Sequence, residues 1–252
     1  MSDSLSQFFA EADAPDRTLA IVGREHPGPI RDLFADAFGR LDIDLEEIET
    51  DPEDDSTVVL TGEDGVIATS PMETIKNTIL LVNSDLYTTG LSGIEKYEAP
   101  SVLTELDEAV YTLRGFPQST KEKLLLIVMS RFIERRALET GDGRLDVAFQ
   151  QLSRIRDEYG TGRIYERLSE SDVEVHAYGV PDVTNVGYDG ITVHSGRAER
   201  YQRSWFVVFT PADGGEPAAL VAVETNQNVW RAMWSYDPGR VDSIQQHIID
   251  QF

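Results

Sequence analysis

The sequence predicts an α+β fold: a predominantly antiparallel sheet flanked by helices, preceded by an N-terminal α/β lobe. Three observations carry this. From Val173 onward, apolar and polar residues alternate with period two through short runs divided by Gly-, Pro- and Asn-rich turns, which is how strands with short connections read. Residues 121–140 (KEKLLLIVMSRFIERRALET) are apolar on nearly every side through their first half, as a central buried helix requires. Near the start, the strand-length run Thr18–Gly23 (TLAIVG) precedes residues at helical spacing.

Taken in order, Leu5, Phe8 and Phe9 predict a short opening helix, and Thr18–Gly23 a strand. Pro27 and Pro29 announce a helix continued by Ile30, Leu33, Phe34, Ala37 and Phe38 and ended by Gly39. Between Leu41 and Asp64 stand eleven acids and no base, expected as a solvated face and loop. This stretch lacks the Asp-x-Asp-x-Asp-Gly spacing of a calcium loop. Thr57–Thr61 and Val66–Thr69 flank Gly62-Glu63-Asp64-Gly65 and read as a hairpin. Ser70, Pro71 and Glu73 are placed as a capping box opening a helix whose buried face is Ile75, Ile79, Leu80 and Val82.

Residues 83–98 are poorly periodic and are expected to form a loop or lid, followed by a helix over Pro100–Leu113. Gly115-Phe116-Pro117 is the expected boundary, giving a lobe over residues 1–114 and a second unit over 115–252. After the long helix, closed by Gly141-Asp142-Gly143, the stripe Leu145, Ala148, Phe149, Leu152 and Ile155 predicts a second helix, ended by Gly160-Thr161-Gly162. A short third follows over Ile164–Leu168. Strands are then expected at Val173–Tyr178, Ile191–His194, Trp205–Thr210, Ala218–Glu224 and Val229–Tyr236, with helices on one face of their sheet. A closing amphipathic helix buries Val241, Ile244, Ile248 and Ile249.

Composition narrows the function by exclusion. The chain has 252 residues, 45 acids against 22 bases for a net charge of −23, and no cysteine, so disulfides, iron–sulfur clusters, thiolate zinc sites and Cys nucleophiles are ruled out. Only four bases are Lys, and such an acidic, Lys-poor surface fits a cytosol with molar salt, where repulsion is screened within about 3 Å. No apolar run approaches the length of a membrane helix and no basic-then-apolar export signal opens the chain, so a soluble, cytoplasmic protein is expected. Nucleic-acid binding is disfavoured by the charge; its best support is the ten bases against eight acids over Lys121–Leu168.

Signatures of catalysis are missing: there is no GxxxxGK[ST], no GxSxG and no HExxH. His176 and His194, on neighbouring predicted strands, could join Asp182 and Glu224 in a two-His-carboxylate metal site for an acid–base or metal-assisted enzyme. The sharper candidate is Ser130, Arg131 and Glu134. Arg131 and Glu134 are i,i+3 neighbours on the most apolar helix, where a guanidinium–carboxylate pair must be desolvated or must face a cavity able to hold a polar ligand. Trp205, Trp230 and Trp234 supply large rings to the sheet, the last two on one face because four residues is an even number of strand steps.

Several segments together resemble the DICT sensory domain family of bacterial and archaeal signalling proteins. They are Ser130-Arg131-Phe132-Ile133-Glu134, Phe149-Gln150-Gln151-Leu152-Ser153-Arg154, Val175-His176-Ala177-Tyr178-Gly179-Val180-Pro181-Asp182, Ser204-Trp205-Phe206-Val207-Val208, Ala218-Ala219-Leu220-Val221-Ala222 and Trp230–Pro238. Asn83–Gly90 is similar to the leading region of stand-alone members from salt-loving archaea. The resemblance implies a sensory module without catalysis of its own, in a family linked to light or redox responses. It implies neither a cofactor nor a defined ligand. As no GGDEF, EAL, kinase or receiver motif follows, output is expected to pass through a signalling partner protein, a second copy of the chain as a homodimer, or nucleic acid. The expected ligand-binding set, for a small molecule of unknown identity, is Ser130, Arg131, Glu134, His176, Tyr178, Trp205, Glu224, Trp230 and Trp234.

Overall fold

The computed structural model describes residues 4–11, 17–23, 44–49, 56–78, 99–108, 110–114, 124–157 and 159–252. The helix expected over 27–39, the loop expected over 83–98 and the boundary residues 115–117 lie outside these.

Two sheets organise the molecule. The smaller has the order β2-β1-β3-β4, from Thr18–Gly23 (β1), Asp44–Glu49 (β2), Thr57–Gly62 (β3) and Gly65–Pro71 (β4). The β1/β2 pair is parallel and the others antiparallel, with β3 and β4 forming the expected hairpin. Within the acidic block, 44–49 is therefore a strand and not part of a loop. The capping box is also replaced. Pro71 ends β4, helical residues begin at Met72, and the Ser70 hydroxyl accepts a hydrogen bond from the Val102 amide at 3.1 Å. Ser70 is buried beneath Ser101–Thr104 (α2), so a tertiary donor takes its oxygen instead of the helix start.

The larger sheet has seven strands in the order β5-β11-β10-β9-β6-β7-β8, from Val110–Arg114 (β5), Asp142–Gln151 (β6), Asp172–Val180 (β7), Ile191–Ser195 (β8), Ser204–Thr210 (β9), Ala218–Asn226 (β10) and Val229–Ser235 (β11). It is antiparallel from β5 to β6, whereas β6/β7 and β7/β8 are parallel. Two sequence expectations fail here. Residues 110–114, expected at the end of a helix, form the edge strand paired with β11; only Ser101–Thr104 of that stretch is helical. Residues 145–151, expected to begin a second helix, belong to β6, the strand between β7 and β9. A strand buried on both faces loses clean alternation, and its apolar positions then also satisfy helical spacing. In β6 Leu145 and Val147 enter one core while Asp146 and Ala148 are buried on the other face.

Around the sheet stand Phe8–Glu11 (α1), Leu124–Thr140 (α3), Arg154–Asp157 (α4), Tyr159–Ser169 (α5), Glu199–Gln202 (α6) and Pro238–Gln251 (α7). Gly160-Thr161-Gly162 opens α5 instead of ending a helix, and the expected third helix is the remainder of α5. Gly141, at φ +74, stops α3 in the left-handed conformation that glycine adopts without strain, and its amide donates to Ala137. Helices cover both faces of the sheet, not one. On the first face, α3 and α5 pack on Val147, Val175, Val207, Leu220 and Trp234 in a core continuous with Leu19, Val58 and Leu60 of the smaller sheet. On the second, Phe8, Val241, Ile244 and Ile248 cover Phe206, Val208 and Val221. The α7 helix is capped by Asp237, which accepts from the Arg240 amide at 2.8 Å with Pro238 at the first position. Ile249, expected to be buried, is exposed. Among the described residues no helix is long and apolar enough to cross a membrane.

Candidate functional site

Between α3 and the sheet lies a partly open cavity. Its apolar wall comes from Ile127, Val147, Phe149, Trp205 and Val207, and its polar groups from Ser130, Arg131, Glu134, Gln150, Arg154, Thr161 and Tyr165. Burial dictates how these groups are held, since an unpaired charge away from water is strongly unfavourable. Arg131 donates to Glu134 Oε2 at 2.6 Å and to Thr161 Oγ1 at 2.7 Å. The second Glu134 oxygen accepts from the Tyr165 hydroxyl at 2.7 Å. Burial first, and then the adjacent Glu134 carboxylate, push the Tyr165 phenol far above its ordinary value, so Tyr165 stays a neutral donor. The Arg131–Glu134 pair on α3, held by Thr161 and Tyr165 of α5, is thus an internally neutral wall.

On the sheet side, the β6/β7 register slips between Ala148 and Gln151, and Gln150 stands at φ +50, a left-handed conformation that disfavours a side chain. Its amide spans two partners. Nε2 donates to the Ser204 carbonyl at 3.1 Å, while Oε1 accepts from Arg154 at 2.5 Å. The irregularity turns Gln150 toward the cavity and brings Arg154 to its rim. Ser130 completes the lining: its hydroxyl is 4% exposed and, among the described residues, has no hydrogen-bond partner.

The expected site residues separate into groups. Ser130, Arg131, Glu134 and Trp205 meet at the cavity. Trp230 and Trp234 do share a face, but both belong to the filled core, where the Trp234 indole donates to the Leu106 carbonyl; neither lines the cavity. Glu224 pairs with Arg203 at 3.3 Å and accepts from the Asn228 amide at 2.9 Å. His176 and Tyr178 belong to a second polar cluster on the opposite face of the sheet.

That cluster centres on Asp146, which has no solvent exposure. It accepts from Arg144 Nε at 2.9 Å and Nη2 at 2.7 Å, from the Tyr178 hydroxyl at 2.9 Å and from Gln245 of α7 at 3.0 Å. His176 Nδ1 lies 2.9 Å from His194 Nε2, and the His194 ring stacks on Tyr178 at 4.4 Å. Burial and the Arg144 charge hold both imidazoles below their ordinary value. The four residues weighed for a metal do not assemble. Asp182 accepts from the Ser153 amide and hydroxyl at 3.0 and 2.7 Å, and Glu224 on β10 is three strand spacings, roughly 14 Å, from β7. Among the described residues no group of three His, Cys, Asp or Glu could hold a metal ion. Nor do the arginines make one basic face, because Arg131 points inward, Arg135 pairs with Glu139, and Arg136 pairs with Glu216.

Sequence reasoning missed Thr161, Tyr165, Gln150 and Arg154. The available signal was Gln150, a polar residue following the buried run Leu145–Ala148, once that run is read as a strand.

A family model described as "Sensory domain in DIguanylate Cyclases and Two-component system", DICT, matches residues 100–225, half of the chain. Every residue lining the cavity falls inside that span, and α7 lies outside it. No curated protein matches. Among solved structures, the chain is similar to the crystal structure of polyphosphate kinase from Porphyromonas gingivalis at 12% identity and a TM-score of 0.32, over 98% of this chain. It spans about half of that protein, 47%, and so low a score carries no argument.

Proposed function

The chain belongs to the DICT family of sensory domains, and from that premise we propose that it works as a receptor, holding a small molecule in the cavity between α3 and the sheet and passing occupancy to a partner protein without chemical turnover. The observation that carries this reading is the cavity itself. It lies wholly within the matched span, is bounded by a prearranged Arg131–Glu134–Tyr165 network, and is lined by a buried hydroxyl on Ser130 that has no partner among the described residues. A bound molecule can bias the seating of α3 only by as much as it prefers one packing over the other, and a helix buried on most sides has few packings to choose from.

Native mass spectrometry tests the proposal. The chain, equilibrated with a small-molecule fraction of cell extract, is expected to gain a bound mass, recovered unaltered on release. Val207→Phe fills the cavity from its sheet wall and is expected to remain folded and gain none. Equal adducts on both proteins, or recovery of the molecule as a changed product, would refute the reading.

A further inference from the structure

We infer that the cavity between α3 and the sheet is a site for a small organic anion, a carboxylate carried on an apolar body. This rests on the receptor reading above and adds the class of ligand. The charges on the walls decide the sign. Arg131 and Glu134 cancel, and Thr161 and Tyr165 fix them in place, leaving the carboxylate with one oxygen on Arg131 and the other on Tyr165. Arg154 is different. Among the described residues its contact is the neutral Gln150 carbonyl at 2.5 Å, and it makes no ion pair. Among the described residues the lining therefore carries two guanidiniums and one committed carboxylate, an excess of one positive charge.

A ligand carboxylate taking the place of the Gln150 oxygen at Arg154 exchanges a neutral acceptor for a charged one, and a charge-assisted hydrogen bond is the stronger of the two. An organic cation would face both guanidiniums with no uncommitted carboxylate to meet it. The apolar body follows from Ile127, Val147, Phe149, Trp205 and Val207, which an inorganic anion would leave uncovered. Ser130 offers a hydrogen bond, as donor or acceptor, that no group among the described residues takes. The chain's net charge of −23 acts at long range on all anions alike and is screened by salt, whereas the Arg154 contact is local and is screened much less.

Three aromatic probes of similar size separate the charges: benzoate and its near-isostere benzamide, and the cation benzylammonium, titrated calorimetrically into the full chain at one fixed ionic strength. Benzoate is expected to bind at least tenfold more tightly than benzamide, and benzylammonium more weakly than either. In Arg154→Gln, a half-exposed position where folding is checked by circular dichroism, the preference for benzoate over benzamide is expected to vanish with benzamide affinity unchanged. Ser130→Ala should weaken benzoate several-fold while keeping the preference. Benzamide or benzylammonium binding as well as benzoate would overturn the anion assignment and leave the receptor reading standing. A preference that persists in folded Arg154→Gln would also overturn it, by placing the anion elsewhere. Binding of none of the three would overturn the cavity as a receptor together with the assignment.

Discussion

The two faces of the seven-stranded sheet each pair a buried carboxylate with an arginine and a buried tyrosine, and they use them in opposite ways. On the α7 face, Asp146 receives Arg144, Tyr178 and Gln245, which satisfy both of its oxygens, and α7 closes over it. On the α3 face, Glu134 receives Arg131 and Tyr165, but the cluster stops at open space beside Ser130 and Arg154. A buried ion pair is therefore no mark of a binding site by itself. On the proposed reading, what marks one is an incomplete cluster: room and, among the described residues, a polar group lacking a partner and a charge without its opposite, here all within the family-matched span.

The largest effect that could break this contrast is on stability. Asp146→Ala leaves Arg144 and Tyr178 facing an emptied interior and should destabilise the protein by about 3–5 kcal/mol in urea denaturation, with benzoate affinity unchanged. Glu134→Gln keeps an acceptor for Arg131 and faces the cavity, so its expected loss is smaller, about 1–3 kcal/mol. It also raises the positive charge of the lining, and benzoate should bind more tightly, not less. A loss at Glu134 equal to that at Asp146, or weaker benzoate binding, would erase the distinction.

The histidines give a smaller, signed effect on the closed face. Burial holds His176 and His194 below their ordinary value, so as pH falls below about 6.5 the unfolded chain takes up protons before the folded one does. Their contribution to stability is present above that pH and is lost on acidification, through the window between 6.5 and the depressed folded values. Both rings are half-exposed, which limits the fall in melting temperature to about 4 °C. Replacing both with Gln should flatten that part of the profile, and an unchanged slope would remove the histidines from the account. The smallest expected difference lies at Gln150. At φ +50, glycine should be more stable than alanine by about 1 kcal/mol, the reverse of the usual order in a strand.

The same contrast shows how far the sequence could be read. Strand β7 was legible because one side of its alternation is more exposed, Glu174 and His176 against Val173 and Val175, and β9 and β10, buried on both faces, because they are short continuous apolar runs bounded by turn residues. β6 was not, because it is buried on both sides and Leu145, Ala148, Phe149 and Leu152 satisfy helical spacing as well. That one misreading hid the parallel β6/β7 pairing and the position of Gln150 with it. Ser130, Arg131 and Glu134 could be singled out because polar side chains in an apolar helix demand partners. The partners Thr161 and Tyr165 come from α5, some thirty residues on, and nothing local announces such a contact. The parity of Trp230 and Trp234 was readable, but their depth in the core depends on packing from β5 and Leu106.

Hydrogen exchange with and without saturating benzoate tests the central claim most directly, since it reads both faces in one experiment. Occupancy of the cavity predicts slowed exchange in α3, Leu124–Thr140, and across residues 148–154, with α7, Pro238–Gln251, unchanged. Slowing confined to α7, or spread evenly over both helices, would contradict it.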